Sequence, residues 1–233
     1  MAPSKKTTIE IVPLQKSYIE FEIVGKTSLI VHAWSEKAKR MMLDVQTGKA
    51  KGKKHDVKIP TNDFTNSLYW LTDKPEDGAS DDEAWERWEE AAKTAKFGFP
   101  VTGIKQSIIT GAARGGLDVK MTELRGTFFL TGATEASTEE YAEIIAPAPI
   151  MREDMVVVGG MSKTADIRYR AEFPVWRMKL RMELLNAKYS LEQIINCIDY
   201  GGFVTGIGEW RPERDGQHGM YELDRSSITY FTK

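Results

Sequence analysis

From Ser17 to Val24 the chain alternates, with Ile19, Phe21 and Ile23 on one side and Tyr18, Glu20 and Glu22 on the other. A period of two puts successive side chains on opposite faces of a strand, so this run predicts a half-buried strand. Gly25-Lys26-Thr27 turns the chain into a second apolar run, Ser28 to Ala33. From Ser35 to Val45 the spacing changes to three and four, which lines Ala38, Met41, Met42 and Val45 along one side of a predicted helix. Thr47 to Lys54 holds two glycines and four lysines in eight residues and reads as a loop.

Asp81 or Asp82 is placed to cap a short helix carrying Ala84, Trp85, Trp88, Ala91, Ala92 and Ala95 on one side, and Phe97-Gly98-Phe99-Pro100 ends it. Thr102 or Gly103 opens another helix through Arg114, which Gly115-Gly116 stops. Strands are predicted at Lys120 to Leu130 and around Ile167 to Phe173. The clearest strand is Val175 to Leu184, where Trp176, Met178, Leu180, Met182 and Leu184 alternate with Arg177, Lys179, Arg181 and Glu183. Ser190 with Gln193 makes a capping box for a helix to about Tyr200, with Gly201-Gly202 as its stop. A last strand pair, Phe203 to Ile207 and Met220 to Leu223, flanks a polar loop. Strand, helix, strand, strand, helix, strand around an antiparallel sheet is the α+β, ferredoxin-like pattern. It is read here as one domain over 1–233, with long insertions at about 35–98 and 132–166 that include a basic loop, 47–58, and an acidic helix, 81–96.

The composition supports a packed core: 41% of the 233 residues are apolar, among them six Trp, nine Phe and eight Tyr. Cys197 is the single cysteine, so no intramolecular disulfide forms, and its apolar neighbours Ile194, Ile195 and Ile198 mark a buried thiol. The start, Met1-Ala2-Pro3-Ser4-Lys5-Lys6, lacks the apolar stretch of a secretory signal, and no window is apolar enough to span a bilayer. A cytoplasmic protein is expected. Formal net charge is only −2, but the charge is segregated. Val45 to Lys58 carries five lysines against Asp56, and Glu76 to Glu90 carries eight acids against Arg87.

Catalytic patterns are not apparent. His32, His55 and His218 lie far apart, none in a metal-binding pair, and neither a Gly-x-Ser-x-Gly elbow nor a Gly-x4-Gly-Lys-Ser/Thr phosphate loop occurs. No enzymatic activity, metal or cofactor is expected. Binding chemistry is better represented. Lys49, Lys51, Lys53 and Lys54 sit on a loop that can follow an irregular polyanion, or else form a merely solvated loop. Arg177, Lys179 and Arg181 make a basic stripe on one strand face, joined by Arg168 and Arg170 beside Tyr169. That face is either a binding platform or an ordinary solvent face. In Gly206-Ile207-Gly208-Glu209-Trp210-Arg211-Pro212-Glu213-Arg214-Asp215-Gly216-Gln217-His218-Gly219-Met220-Tyr221, Arg211 and Arg214 can reach phosphates and Trp210 can stack on a base. The glycines either bring the backbone close to a ligand or only make turns, with the Trp covering the core.

The Gly206-x-Gly208 and Gly216-x-x-Gly219 pattern before a strand resembles the glycine-rich loop of the repeat-associated mysterious protein (RAMP) superfamily, which includes backbone subunits of CRISPR effector complexes. Phe99-Pro100-Val101-Thr102-Gly103-Ile104-Lys105-Gln106-Ser107-Ile108, ending in Ala113-Arg114, resembles the start of that superfamily's first ferredoxin helix. The chain is also similar to a group of bacteriophage proteins in Trp34-Ser35-Glu36-Lys37-Ala38, Met151-Arg152-Glu153-Asp154 and Glu209-Trp210-Arg211-Pro212. The RAMP resemblance implies an RNA-recognition-type fold whose copies stack into a helical filament and hold single-stranded DNA or RNA along a basic groove. Lys105 and Arg114 would lie beside that groove, and the lysine-rich loop would act as a clamp between neighbours. Some members cleave RNA with an aspartate that neither Asp44 nor Asp56 matches, so no cleavage is expected. The competing expectation is a phage protein-interaction factor, an assembly component or an inhibitor mimicking a host complex subunit, in which the acidic segment imitates nucleic acid.

Overall fold

The computed structural model describes residues 13–34, 36–49, 57–158, 164–185 and 189–232. Strand β1 (Lys16–Gly25) buries Ile19, Phe21 and Ile23, as the alternation predicts. Nine further strands follow among the described residues: β2 (Leu29–Val31), β3 (Tyr69–Trp70), β4 (Phe97–Pro100), β5 (Phe128–Gly132), β6 (Tyr141–Glu143), β7 (Ile150–Val158), β8 (Thr164–Phe173), β9 (Arg177–Leu185) and β10 (Tyr221–Thr232). The helices are α1 (Glu36–Gln46), α2 (Pro60–Asn66), α3 (Asp81–Ala92), α4 (Val101–Arg114), α5 (Met121–Thr127) and α6 (Leu191–Tyr200).

The main sheet is antiparallel throughout, in the order β10-β1-β9-β5. With α4 and α6 between the strands, this is the ferredoxin-like βαββαβ arrangement, an α+β fold as expected. Ile104, Ile108 and Ala112 of α4 and Ile194, Cys197 and Ile198 of α6 share one core with Ile19, Phe21, Met178 and Leu180 of the sheet. The chain between β1 and α4 and between β5 and β9 builds two further sheets, β2-β8-β7 and β3-β4-β6. An aromatic cluster ties these parts together: Phe64 of α2 meets Trp88 of α3 at 4.8 Å, Trp70 meets Phe97 at 5.0 Å, and Phe97 meets Phe173 at 5.9 Å. The acidic helix is therefore anchored by Trp88.

Several boundaries differ from the sequence reading, each for a local reason. Ser80 caps α3 in place of either aspartate: its Oγ accepts the Glu83 N–H at 3.3 Å, while Glu83 Oε2 accepts the Ala79 N–H at 2.8 Å. Phe97–Pro100 is a strand rather than a helix end, pairing with both β3 and β6. The run from Lys120 begins as helix α5, which buries Leu124, and becomes a strand only at Phe128. Strand β7, which the sequence reading left within an insertion, pairs along its whole length with β8.

The largest correction is at the second Gly-Gly pair. Gly201 and Gly202 do not stop α6 but continue it as one π-helical turn, Gly201–Thr205, in place of the strand expected at Phe203 to Ile207. Gly201 stays right-handed, with φ −56°. A Cβ there would lie 2.7 Å from the Ile108 Cα, so the residue is needed because α4 crosses this turn closely. The final strand is also far longer than Met220 to Leu223, because β10 pairs with β1 from Tyr221 to Thr232 around an irregularity between Glu20 and Glu22.

Candidate functional site

After the π turn the chain enters the glycine-rich segment, which packs across the end of β2. The Glu209 N–H donates to the Ile30 carbonyl at 2.9 Å, the Gly219 N–H to Ser28 at 2.7 Å, and the Ile207 N–H to Gly219 at 3.0 Å. Gly208 and Gly219 have φ of +76° and +67°, and a Cβ would lie 2.4 Å from the Ile30 oxygen at the first and 1.8 Å from the Ile207 oxygen at the second. These two glycines serve the loop's own packing. Trp210 also has positive φ, +52°, yet it does not cover the core: the residue is 43% exposed. A short 3-10 turn, Pro212–Arg214, then carries Arg214 outward, and Asp215 in the left-handed region closes it.

Three predicted cations converge here. Arg211 Nη1 donates to the Gly208 carbonyl at 3.0 Å, and its Nε and Nη2 donate to Glu213 Oε2 at 3.1 and 2.9 Å. Arg114, from the end of α4, reaches the other oxygen of Glu213 at 3.1 Å. Arg214 is exposed on the turn. A cleft of about 410 Å³ lies between this loop and the β7–β8 hairpin, lined by Val156, Arg170, Glu209, Trp210, Arg211 and Arg214. A smaller cleft of about 260 Å³ opens toward the start of α4, with His32, Tyr69, Phe99, Gln106 and Thr205 in its walls. Glu209 and Arg211 line both.

Other predicted residues lie elsewhere or are already engaged. Arg170 is a correction: its side chain is only 3% exposed, with Nη1 bonded to Asp154 Oδ2 at 3.3 Å and Nη2 3.8 Å from Glu209, so it forms the floor of the larger cleft rather than a surface contact. Arg168 lies 3.8 Å from Asp166. Lys105 is a second correction. Its Nζ donates to the carbonyls of Arg125 at 2.9 Å and Phe128 at 2.7 Å, and lies 4.8 Å from the Phe129 ring centre. It thereby satisfies the end of α5 and lines neither of the two clefts, and desolvation lowers its pKa.

The stripe on β9 does share a face, but the register sets acids of β1 beside it. Arg181 bonds Glu20 through Nε at 2.8 Å, Lys179 lies 3.3 Å from Glu22, and Arg177 lies 3.8 Å from the same carboxylate. Lys16 and Glu183 add a further pair at 2.6 Å. The open face of the sheet is therefore a ladder of opposite charges rather than a cationic track. Lys49 is exposed after α1, while Lys51, Lys53 and Lys54 lie outside the described residues. The acids of α3 are partly consumed internally, Glu83 by Arg87 at 2.5 Å, Glu90 by Lys93, and Asp81 by the Thr61 N–H.

Sequence reasoning missed Glu213, the carboxylate that joins Arg114 to Arg211, although it stands inside the quoted motif. It also missed His32, Tyr69 and Thr205, which come from three separate segments and carry no shared spacing. Among the described residues no group of three or more His, Cys, Asp and Glu is arranged to hold a metal ion. No helix among them is long and apolar enough to cross a membrane.

No protein-family model matches the chain, and no curated protein is detectably similar to it in sequence. Among solved structures it is similar to a chain of the Type III-B Cmr-beta complex bound to cognate target RNA, with a TM-score of 0.50 and 8% identity over 94% of this chain. The match spans 61% of that chain's length. Two weaker likenesses are Cmr6 from Pyrococcus furiosus, with TM-score 0.33 and 11% identity over 90% of this chain and 99% of that one, and Csc2 from Thermofilum pendens, with TM-score 0.30 and 10% identity over 93% and 67%. The first likeness is one of fold alone, and it agrees with the ferredoxin-like α+β architecture of the main sheet.

Proposed function

We propose that this chain binds single-stranded nucleic acid in the cleft between the glycine-rich loop and the β7–β8 hairpin, without catalysis, and that copies stand side by side along the strand. The observation that carries this reading is the juxtaposition of Arg214 and Trp210, both exposed, on a loop that two backbone hydrogen bonds fix to Ser28 and Ile30. A cation supplies salt-dependent affinity for phosphate, and an exposed indole offers a base a stacking surface. The shared fold with a chain of an RNA-bound complex supports it. The bacteriophage resemblance supports a role in phage DNA or RNA metabolism, in the host cytoplasm.

Protein contact is the second reading, and one observation favours it. The outer face of the hairpin leaves Met155 80%, Val157 66% and Ile167 43% exposed. Apolar surface of this kind marks association, either with the next copy or with a host protein. Fluorescence anisotropy with single-stranded RNA and DNA, joined to electron microscopy of the same mixtures, separates the readings. Binding that weakens steeply with salt and yields regular oligomers supports the strand-bound assembly. Absence of affinity for either polymer refutes it in favour of the interaction factor.

A further inference from the structure

The smaller cleft is chemically unlike the groove beside it. Tyr69 and Phe99 stand edge to face in its wall, their ring centres 6.2 Å apart. Burial lowers the His32 pKa and raises that of Tyr69, so both are uncharged at neutral pH. Of its two acids, Glu213 is held by Arg211 and Arg114, and Glu209 lies 3.8 Å from Arg170. A charge-balanced cleft with aromatic walls suits a flat, neutral, polar ring better than a phosphate.

Its walls also hold donors in want of acceptors. Helix α4 starts at Val101, after Pro100, with no side-chain cap and no acid in its first turn; the Val101 N–H donates to the Glu140 carbonyl at 2.9 Å, and the next two residues, Thr102 and Gly103, line the cleft. An uncapped helix start leaves backbone N–H groups to be satisfied from outside the helix. Independently, Thr205 lines the same cleft, is 2% exposed, and its Oγ1 has no hydrogen-bond partner. Buried polar atoms are almost always paired, so an orphaned hydroxyl marks a place for a ligand atom.

We propose that this cleft seats one nucleobase turned out of the bound strand, its ring against Tyr69 and Phe99 and a ring carbonyl toward the start of α4 and Thr205. The inference rests on strand binding at the adjoining groove, with which the cleft shares Glu209 and Arg211. Size agrees: pockets for drug-sized ligands run to about 300–1,000 Å³, so a cleft of about 260 Å³ admits a single base but not a dinucleotide. Uracil, thymine, cytosine and guanine carry a ring carbonyl and adenine does not, so adenine is the base disfavoured.

The test compares three probes at one salt concentration by anisotropy: an oligouridylate, the same ribose-phosphate chain with abasic positions, and an oligoadenylate of equal length. The uridylate should bind about tenfold tighter than either of the others, and Thr205→Val should remove that advantage while leaving the abasic chain unaffected. Equal affinity for all three overturns the base seat and leaves strand binding standing. If none binds, strand binding itself fails and the seat with it. A Thr205→Val loss shared equally by the abasic chain assigns the hydroxyl to folding and overturns the proposal.

Discussion

For the proposed strand binding, two places on the molecule could meet the phosphate backbone, the β9 face and the glycine-rich loop, and salt dependence tells them apart. Each phosphate neutralised on a single strand contributes about 0.7 to the slope of log affinity against log salt. Lys179, Arg181 and Arg177 lie within 3.3, 2.5 and 3.8 Å of carboxylates on β1, so each has a counterion before any strand arrives. Removing all three should change the slope by close to zero. Arg214 is exposed and outside that ladder. Arg214→Ala should lower the slope by about 0.7, which over a fourfold rise in salt is about a 2.6-fold difference in affinity. The assay is anisotropy of a labelled single-stranded oligonucleotide over a salt series, with the wild type, Arg214→Ala and the triple alanine variant side by side. A fall of about 2 in the slope for the triple variant, with none for Arg214→Ala, would refute the reasoning and put the strand on the sheet.

Trp88→Ala should cost about 3–5 kcal/mol, since the ring is 5% exposed and meets Phe64, Trp70 and Phe97; a urea titration measures it, and a loss under 1 kcal/mol would mean that α3 is not anchored. Gly219→Ala forces a Cβ to within 1.8 Å of the Ile207 oxygen at φ +67° and should destabilise by about 2–3 kcal/mol while abolishing strand binding. Burial raises the Cys197 thiol from 9.0 to about 11, so iodoacetamide should label it at pH 8 only in denaturant. Because the unfolded chain gives up this proton first, the thiol's contribution is intact below about pH 9 and is lost between about pH 9 and 11. Cys197→Ala should flatten the stability curve across that window.

The elements legible in the sequence were those whose signal is local. Period two in β1 and β9, the Ser190–Gln193 box and the α4 boundaries each depend on neighbours in the chain, and the capping box is present in full. What escaped depends on partners far away. Gly201-Gly202 has the local form of a helix stop, but only the approach of Ile108 shows why the glycines are there. Arg177, Lys179 and Arg181 read as a cationic stripe because the register that sets Glu20 and Glu22 beside them is a property of the sheet. The candidate site followed the same rule: Trp210, Arg211 and Arg214 lie within one motif and line one cleft together, whereas Arg170 looked available until the hairpin buried it against Asp154.

Strand β1 lies between β9 and β10, so both its neighbours come from the far end of the chain. About 150 residues separate Gly25 from Arg177, and at about 5–20 residues per second a ribosome needs roughly ten to thirty seconds to deliver the first of them. During that wait Ile19, Phe21 and Ile23 belong to a nascent segment with two unsatisfied edges. The central strand is thus made early and partnered late, which puts its sheet among the slow, non-local class of folding topologies.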